Sequence, residues 1–321
     1  MNKENIKTLF PPQPEEPLPS DCCGSGCSPC VFDIYREQMV EWEKQCSDII
    51  SNGENCLDTN VTDLSMSPLS QTVFTPFVLI SLQQHTHDTF VYLFQAVRDS
   101  ELVHVRYPLG IRPGQHLIMR CSEEIVLTRA YTPISDKKCS NIGQFETLIK
   151  LYDNGRMSKY IRTLKQNDIV KWRGPCGNFQ YVPNGHKHLL MICAGTGIAP
   201  MYSISKSIVE NDSDDTIVRL LFACKDFEDI LLRNELQKLT LYWNFSAEIF
   251  LSRARLPIEN QSRYGESVRK GKIVKEVIDK ELANKELKQV RVLICGTKSF
   301  NKDMLNYVKK FGIPDDNVHL F

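Results

Sequence analysis

The sequence predicts a β + α/β chain, an antiparallel β-barrel followed by a doubly wound parallel sheet. Short β-branched and aromatic runs, spaced by Gly, Pro, Ser and Asn, fill residues 71–181. Apolar strands then alternate with helical patterns over 182–321. Where the second pattern begins, an apolar run at 188–194 ends in Gly195-Thr196-Gly197, a strand-to-helix elbow that either aims free N–H groups at a diphosphate or is a plain turn. These changes of texture divide the chain into a lead segment 1–70, a barrel 71–182 and an α/β module 183–321.

At 321 residues, 42% hydrophobic and 24% charged, the composition is that of a soluble globular protein of about two domains. No run approaches the roughly 20 apolar residues of a membrane helix, and the first residues carry neither a signal-peptide h-region nor an Arg-rich amphipathic pattern. The expectation is a cytoplasmic chain with reduced thiols, no direct membrane span and no nucleic-acid partner. The net charge of zero hides an asymmetry: residues 1–70 hold 4 Lys/Arg against 12 Asp/Glu, leaving 35 against 27 for the remainder. Such a basic body steers an anionic cofactor or an acidic protein partner toward itself, or is ordinary solvated charge.

Pro11, Pro12, Pro14, Pro17 and Pro19 describe an extended lead-in. Cys22, Cys23, Cys27 and Cys30 follow within nine residues, and Cys27-x-x-Cys30 is a chelating spacing for a thiolate-loving metal. No second CxxC or nearby His completes a tetrahedral site, so metal binding, a redox dithiol and a docking knob stay open. Ile34, Met39, Val40 and Trp42 allow one amphipathic helix over 33–50, and the polar stretch 51–70 reads as a linker.

In the β-rich part, runs at 77–82 and 89–94 flank a His-Thr-His-Asp turn and predict a hairpin. Further strands are expected at 114–120, 125–131, 145–152 and 168–173. One helix start is expected, at Asn154-Gly155-Arg156-Met157-Ser158, with Met157, Tyr160, Ile161 and Leu164 at helical spacing; its free N–H groups suit an anion. Arg129-Ala130-Tyr131-Thr132-Pro133 offers a cation, a phenol and a hydroxyl, with Arg129 and Tyr131 on one face of a strand. Taken alone, that stretch reads rather as a strand ending at a Pro-limited turn, with Arg129 solvated and Tyr131 half buried; the companions downstream reverse that.

The order Arg129-Ala130-Tyr131-Thr132, Ile149-Lys150-Leu151-Tyr152, Gly155-Arg156-Met157-Ser158, Gly174-Pro175-Cys176-Gly177 resembles the ferredoxin-reductase-like flavoenzymes, and within them the cytochrome b5 reductases. The resemblance implies a FAD-binding barrel in which Arg129 holds the diphosphate, Tyr131 lies along the ribityl chain and flavin, and Thr132 bonds near flavin N5. It implies that Gly155, Arg156, Met157 and Ser158 cap the phosphates and that Lys150 and Tyr152 line the cofactor. The loop between Tyr152 and Gly155 is only Asp153-Asn154, shorter than the adenine-side loop of the family. The segment around Cys22–Cys30 resembles a short oxidoreductase-like N-terminal motif, which names a module without a chemistry.

In the α/β part, strands fit 216–224, 245–252, 289–296 and 317–321, and helices fit 198–210, 230–239, 272–283 and 300–311. The GxGxxG spacing is absent; Gly195-Thr196-Gly197 with Pro200 resembles the pyridine-nucleotide elbow of the same family, and the module is implied to bind NADH. Cys295-Gly296 closes the penultimate strand, where the family has a Cys-Gly beside the nicotinamide; the alternative for Cys295 is a small buried hydrophobe. The family's proline-rich continuation is replaced by Thr297-Lys298-Ser299, and its Leu-Asp-Arg strand end becomes Leu251-Ser252-Arg253. An acidic residue there bonds the ribose 2′-hydroxyl, so Ser252 beside Arg253 leaves NADPH open.

The implied activity is a FAD-dependent NADH-cytochrome b5 reductase type of oxidoreductase: hydride from NAD(P)H to FAD, then single electrons to cytochrome b5 or a similar acidic haem protein. Thr132 and Cys295 would stand at the hydride path. The rivals are reduction of another acceptor, quinone or ferric chelate, and a scaffold or metal-handling protein acting through its cysteine-rich head.

Overall fold

The structure is a computed structural model and describes residues 13–14, 16–17, 19, 30–52, 67–98, 101–102, 108–121, 127–135, 137–254 and 257–321. Cys22, Cys23 and Cys27 lie outside the described residues; Cys30 is buried and sits just ahead of helix α1 (Val31–Asn52).

Strands β1 (Thr75–Gln84) and β2 (Thr89–Arg98) form the expected hairpin, its turn closed by the His85 and Thr86 N–H groups donating to the Thr89 carbonyl at 2.9 and 3.0 Å. A two-residue strand β3 (Glu101–Leu102), which nothing in the sequence announced, extends the far end of β2. With β4 (His116–Arg120), β5 (Thr128–Tyr131), β6 (Gln144–Lys150) and β7 (Ile169–Cys176), the antiparallel order runs β6-β2-β1-β7-β4-β5. The ring closes just beyond β5, where Pro133 bridges to Thr147 of β6 and the Ile134 N–H donates to the Glu146 carbonyl at 2.8 Å. A closed ring leaves no long strand edge unpaired.

Alternation fills the barrel. Phe77, Phe94, Phe145 and Trp172 are fully buried, with Trp172 centred 5.0 Å from both Phe94 and Phe145, and Phe77 5.3 Å from Phe145. The supposed linker is part of this core at its end: Leu69 is buried, and the Gly174 N–H donates to the Ser70 carbonyl at 2.8 Å. Helix α2 (Lys137–Asn141) adds a second helix to a half expected to hold one, and α3 (Arg156–Thr163) forms where Gly155 predicted it. Gly114 and Gln115 are not strand: Gly114 turns at φ +85, and β4 starts after it.

In the α/β module, β8 (His188–Ala194), β9 (Ile217–Cys224), β10 (Phe245–Leu251), β11 (Ser267–Lys270), β12 (Val290–Cys295) and β13 (Val318–Leu320) form a parallel sheet in the order β11-β10-β9-β8-β12-β13. Both faces of β8 are covered, as its unbroken apolar run demands. Leu189, Met191 and Cys193 pack with α4 (Ile198–Val209) and α5 (Arg233–Leu239); Leu190 and Ile192 pack with α6 (Lys275–Leu282) and α7 (Lys298–Phe311). Helix α5 starts at Arg233, later than the expected 230, because Leu232 stands in the left-handed region at φ 55. Its N–H leaves the helix pattern and donates to His85 Nε2 of the barrel hairpin at 2.8 Å. The modules also share a core, with Ile134, Leu148 and Phe179 in the same apolar cluster as α4.

Phe145→Ala removes the ring shared by Trp172, Phe77 and Phe94. It should cost about 3–5 kcal/mol, read as a lower urea midpoint at unchanged slope.

Candidate functional site

Strand order fixes where a ligand can sit. The chain runs β8, β9, β10, β11 in one direction, then returns to place β12 on the other side of β8. The crevice outside the carboxyl ends of β8 and β12 is therefore the switch point of the sheet, the place where open α/β sheets bind ligands. Gly195-Thr196-Gly197 and Cys295-Gly296 are the two segments that leave these strands. They meet closely: a Cβ on Gly197 would stand 2.3 Å from the Cys295 carbonyl oxygen. Gly195, at φ +56, has open space where its Cβ would be.

The barrel faces the same crevice, and together the modules enclose a cleft of about 1410 Å³. Arg129, Tyr131 and Thr132 line it from β5 and its extension, and Gly195, Thr196, Gly197 and Pro200 line it from the elbow. Lys150 and Tyr152 follow from the end of β6, Gly155, Arg156, Met157 and Ser158 from the start of α3, and Ser252, Cys295 and Gly296 from the sheet edge. Among the cofactor-binding residues the sequence predicts, Arg253 alone stands outside the lining; it is exposed, its N–H donating to the Lys225 carbonyl at 2.7 Å.

The local bonding refines several roles. The Tyr131 ring meets the edge of Trp172 at 6.0 Å, so the barrel core holds the phenol in place. Lys150 Nζ lies 2.6 Å from Asp88 Oδ2 in the hairpin turn. Burial pushes the Asp88 carboxyl up, but hydrogen bonds from Lys150 and Thr89 more than reverse this and leave it below the usual carboxylate range. Ser158 is buried, and its Oγ accepts the Tyr152 N–H at 2.9 Å. That bond pins the short Asp153-Asn154 loop onto the helix start, while Met157 turns into the barrel core. Thr132 offers its carbonyl to Thr147 Oγ1 at 3.3 Å, which ties the barrel closure to the cleft wall.

Cys295 is 7% exposed, and burial pushes its thiol up to about 12, so at neutral pH it is a neutral thiol rather than a nucleophilic thiolate. Cys193 beside it on β8 is likewise raised well above the ordinary thiol range, by burial and then by the neighbouring thiols Cys295 and Cys224.

Sequence reasoning gave no role to several lining residues. His116 begins β4, and burial, then the Arg173 guanidinium, push it down to about 4, so a neutral imidazole faces the cleft. The register Cys224–Leu251–Lys270 aligns the carboxyl ends of β9, β10 and β11, and Lys225, Ser252 and Lys272 line the cleft just past them. Ser252 is expected at its strand end; Lys225 and Lys272, one and two residues beyond theirs, take a placement visible only once the strand order is known. From α1, Arg36, Glu37 and Val40 also reach the lining.

The site suits two phosphate-bearing aromatic cofactors. The volume exceeds the roughly 300–1,000 Å³ of a drug-sized pocket. Its donor set is Arg129, Lys150 and the N-terminus of α3 on the barrel side, and a glycine elbow with no room for a Cβ at Gly197 on the sheet side.

Comparisons with known proteins agree with this geometry. Residues 76–181 match the oxidoreductase FAD-binding domain family, 191–306 the oxidoreductase NAD-binding domain family, and 8–50 the family described as oxidoreductase-like protein, N-terminal. A human relative named NADH-cytochrome b5 reductase-like is 37% identical over 310 residues, 96% of this chain and 94% of its own length. NADH-cytochrome b5 reductase 1 of Laccaria bicolor is 33% identical, with 79% of this chain and 81% of the relative covered. Among solved structures, the cytochrome b5 reductase domain of Ulva prolifera nitrate reductase superposes with a TM-score of 0.68 at 27% identity, covering 79% of this chain and 100% of that one.

Two outcomes test the site. Gly197→Ala forces the elbow off the Cys295 carbonyl and should weaken nucleotide binding about tenfold or more while bound flavin is retained, read by absorbance and titration. His116 binds its proton less readily folded than unfolded, so its contribution is present above its ordinary 6.5 and is lost as pH falls toward about 4. Between pH 7 and pH 5 this loss is on the order of 2 kcal/mol, and His116→Gln should shrink the fall in unfolding free energy by about that amount.

Proposed function

We propose that this chain, which belongs to the cytochrome b5 reductase-like family of FAD- and NAD-binding oxidoreductases, passes electrons from NADH through FAD to a one-electron haem acceptor of the cytochrome b5 type. The observation that carries the reading is the shared cleft: Arg129, Tyr131 and Thr132 of the barrel and Gly195-Thr196-Gly197 of the sheet line one space. We assign 71–182 as the flavin module and 183–321 as the nucleotide module. The basic balance of the chain beyond residue 70 favours an acidic protein acceptor through steering. No helix among the described residues is long and apolar enough to cross a membrane, and a cytoplasmic location is our reading.

FAD supplies the chemistry when bound, taking hydride from the nicotinamide and releasing electrons singly. The residues of this chain orient and insulate. Arg129 and the α3 N-terminus hold the flavin diphosphate, Lys150 is fixed by Asp88 to present its charge at one place, and Tyr131 is braced against Trp172. Gly195, Thr196 and Gly197 receive the nucleotide diphosphate, with Pro200 setting the start of α4. Thr132 and Cys295 line the cleft from its two modules and would border the flavin and nicotinamide rings, Cys295 as a neutral thiol that fills space without carrying charge.

A second reading concerns the nucleotide. Lys225 and Lys272 flank Ser252 at the cleft edge where the family has a carboxylate, so we infer that NADPH is accepted alongside NADH. Anaerobic titration with NADH should bleach the flavin; a flavin that stays yellow with both NADH and NADPH overturns the assignment. Ser252→Asp should lower kcat/KM for NADPH about tenfold or more and change the NADH value far less, since a carboxylate repels the 2′-phosphate.

A further inference from the structure

The N-terminal helix is a docked part of the molecule. Its 22 residues span about 33 Å, and Val31, Ile34 and Cys46 are buried along it. The Cys30 N–H donates to Asp33 Oδ2 at 2.9 Å, which fixes the first turn and holds the Asp33 carboxylate at the start of the helix. The same carboxylate reaches outward in two directions. Oδ1 accepts from Arg36 Nη2 at 2.6 Å, and Oδ2 lies 3.3 Å from Lys298 Nζ.

Lys298 is the first residue of α7, two positions after Gly296. The ion pair therefore ties α1 to the segment leaving the nucleotide strand at Cys295. Helix α1 also packs against β5, the strand that carries Arg129 and Tyr131. Glu37 is near enough to Cys176, in the Gly174-Pro175-Cys176-Gly177 turn, to act on its thiol. The helix thus touches both modules, β5 of the barrel and the start of α7 beside Cys295-Gly296 in the sheet. Arg36, Glu37 and Val40, spaced to share one helix face, line that cleft.

We propose that α1 is a third wall of the nucleotide site: bound nicotinamide nucleotide is enclosed by the two modules and this helix, with Arg36 facing the bound anion and the Asp33–Lys298 pair holding the helix to the sheet edge. This rests on the functional reading above, since it supposes that a nucleotide occupies the cleft. Arg36 and Lys298 meet Asp33 at this junction, and Arg36 and Glu37 both line the cleft, so α1 brings polar, charged side chains to the site. The bound anion and the docked helix then stabilise each other, because each completes the surroundings of the other.

Hydrogen exchange on the full-length flavoprotein, with and without saturating NAD⁺, tests this. NAD⁺ should slow exchange both at Gly195–Gly197 and along residues 31–48. Asp33→Ala should speed exchange of 31–48 and remove its response to NAD⁺, while the elbow remains protected; Lys298→Gln reads the same pair from the other side should Asp33→Ala lose its flavin. Arg36→Gln should raise the Kd for NAD⁺ roughly two- to fivefold at unchanged flavin content, the size of an exposed charge contact. Protection at the elbow with no response in 31–48 overturns the third wall and leaves the nucleotide reading standing. Protection at neither place overturns both.

Discussion

The architecture depends on the contact between the Gly197 backbone and the Cys295 carbonyl. At this point the strand that opens the parallel sheet and the strand that returns to its other flank come off the sheet side by side. A gap of 2.3 Å for a would-be Cβ means that only glycine lets the elbow lie against the neighbouring strand end. This close approach turns two loop ends into one continuous floor. A looser crossing would leave a groove between them, and a flat diphosphate-ribose chain would lose its support.

The barrel's contribution is set by its closure. Pro133 and Ile134 join β6 directly after the segment that carries Arg129, Tyr131 and Thr132. Closing the ring at that point leaves these three residues at a rim facing the elbow rather than on a free edge. Trp172 works on both sides of this rim. Its ring packs among Phe94 and Phe145 inside the barrel and braces Tyr131 at the cleft, so the packing that stabilises the barrel also limits how the phenol can move. The modules in turn share a core through Ile134, Leu148 and Phe179, and the cleft between them inherits the rigidity of that core.

Much of this was legible in the residues, for physical reasons that also explain what was not. The apolar run of β8 and the β-branched hairpin declare themselves because burial demands apolar side chains at each inward position. Strand β11, Ser267-Val268-Arg269-Lys270, has an outward-facing edge with little to bury, so no periodicity marks it. The start of α5 was misplaced because Leu232 takes a left-handed conformation that only its bond to His85, 147 residues away, accounts for. Leu69 looked like linker because its partners come from distant strands. Among site residues, Arg129, Tyr131 and the glycine elbow sit in recognisable local strings. Lys225 and Lys272 do not, since only the parallel register of three strands brings them beside Ser252. Arg253 shows the limit of a string: next to Ser252 in sequence, it is exposed and does not line the cleft that Ser252 lines.

Charge explains how so large a cleft can receive two anionic cofactors without collapsing on itself. Two carboxylates near the lining are engaged by cations of this chain, Asp88 by Lys150, and Asp33 by Lys298 and Arg36. Each pairing cancels negative charge that would repel a diphosphate, and each also holds a cation at a fixed place. Lys150 illustrates the balance. Paired to Asp88 it adds little net charge, yet its ammonium is oriented by a turn that the barrel hairpin makes rigid. Along the sheet edge the balance differs, since Lys225 and Lys272 flank a neutral hydroxyl. Along that edge, positive charge stands beside a hydroxyl in place of the balanced Lys150–Asp88 pair.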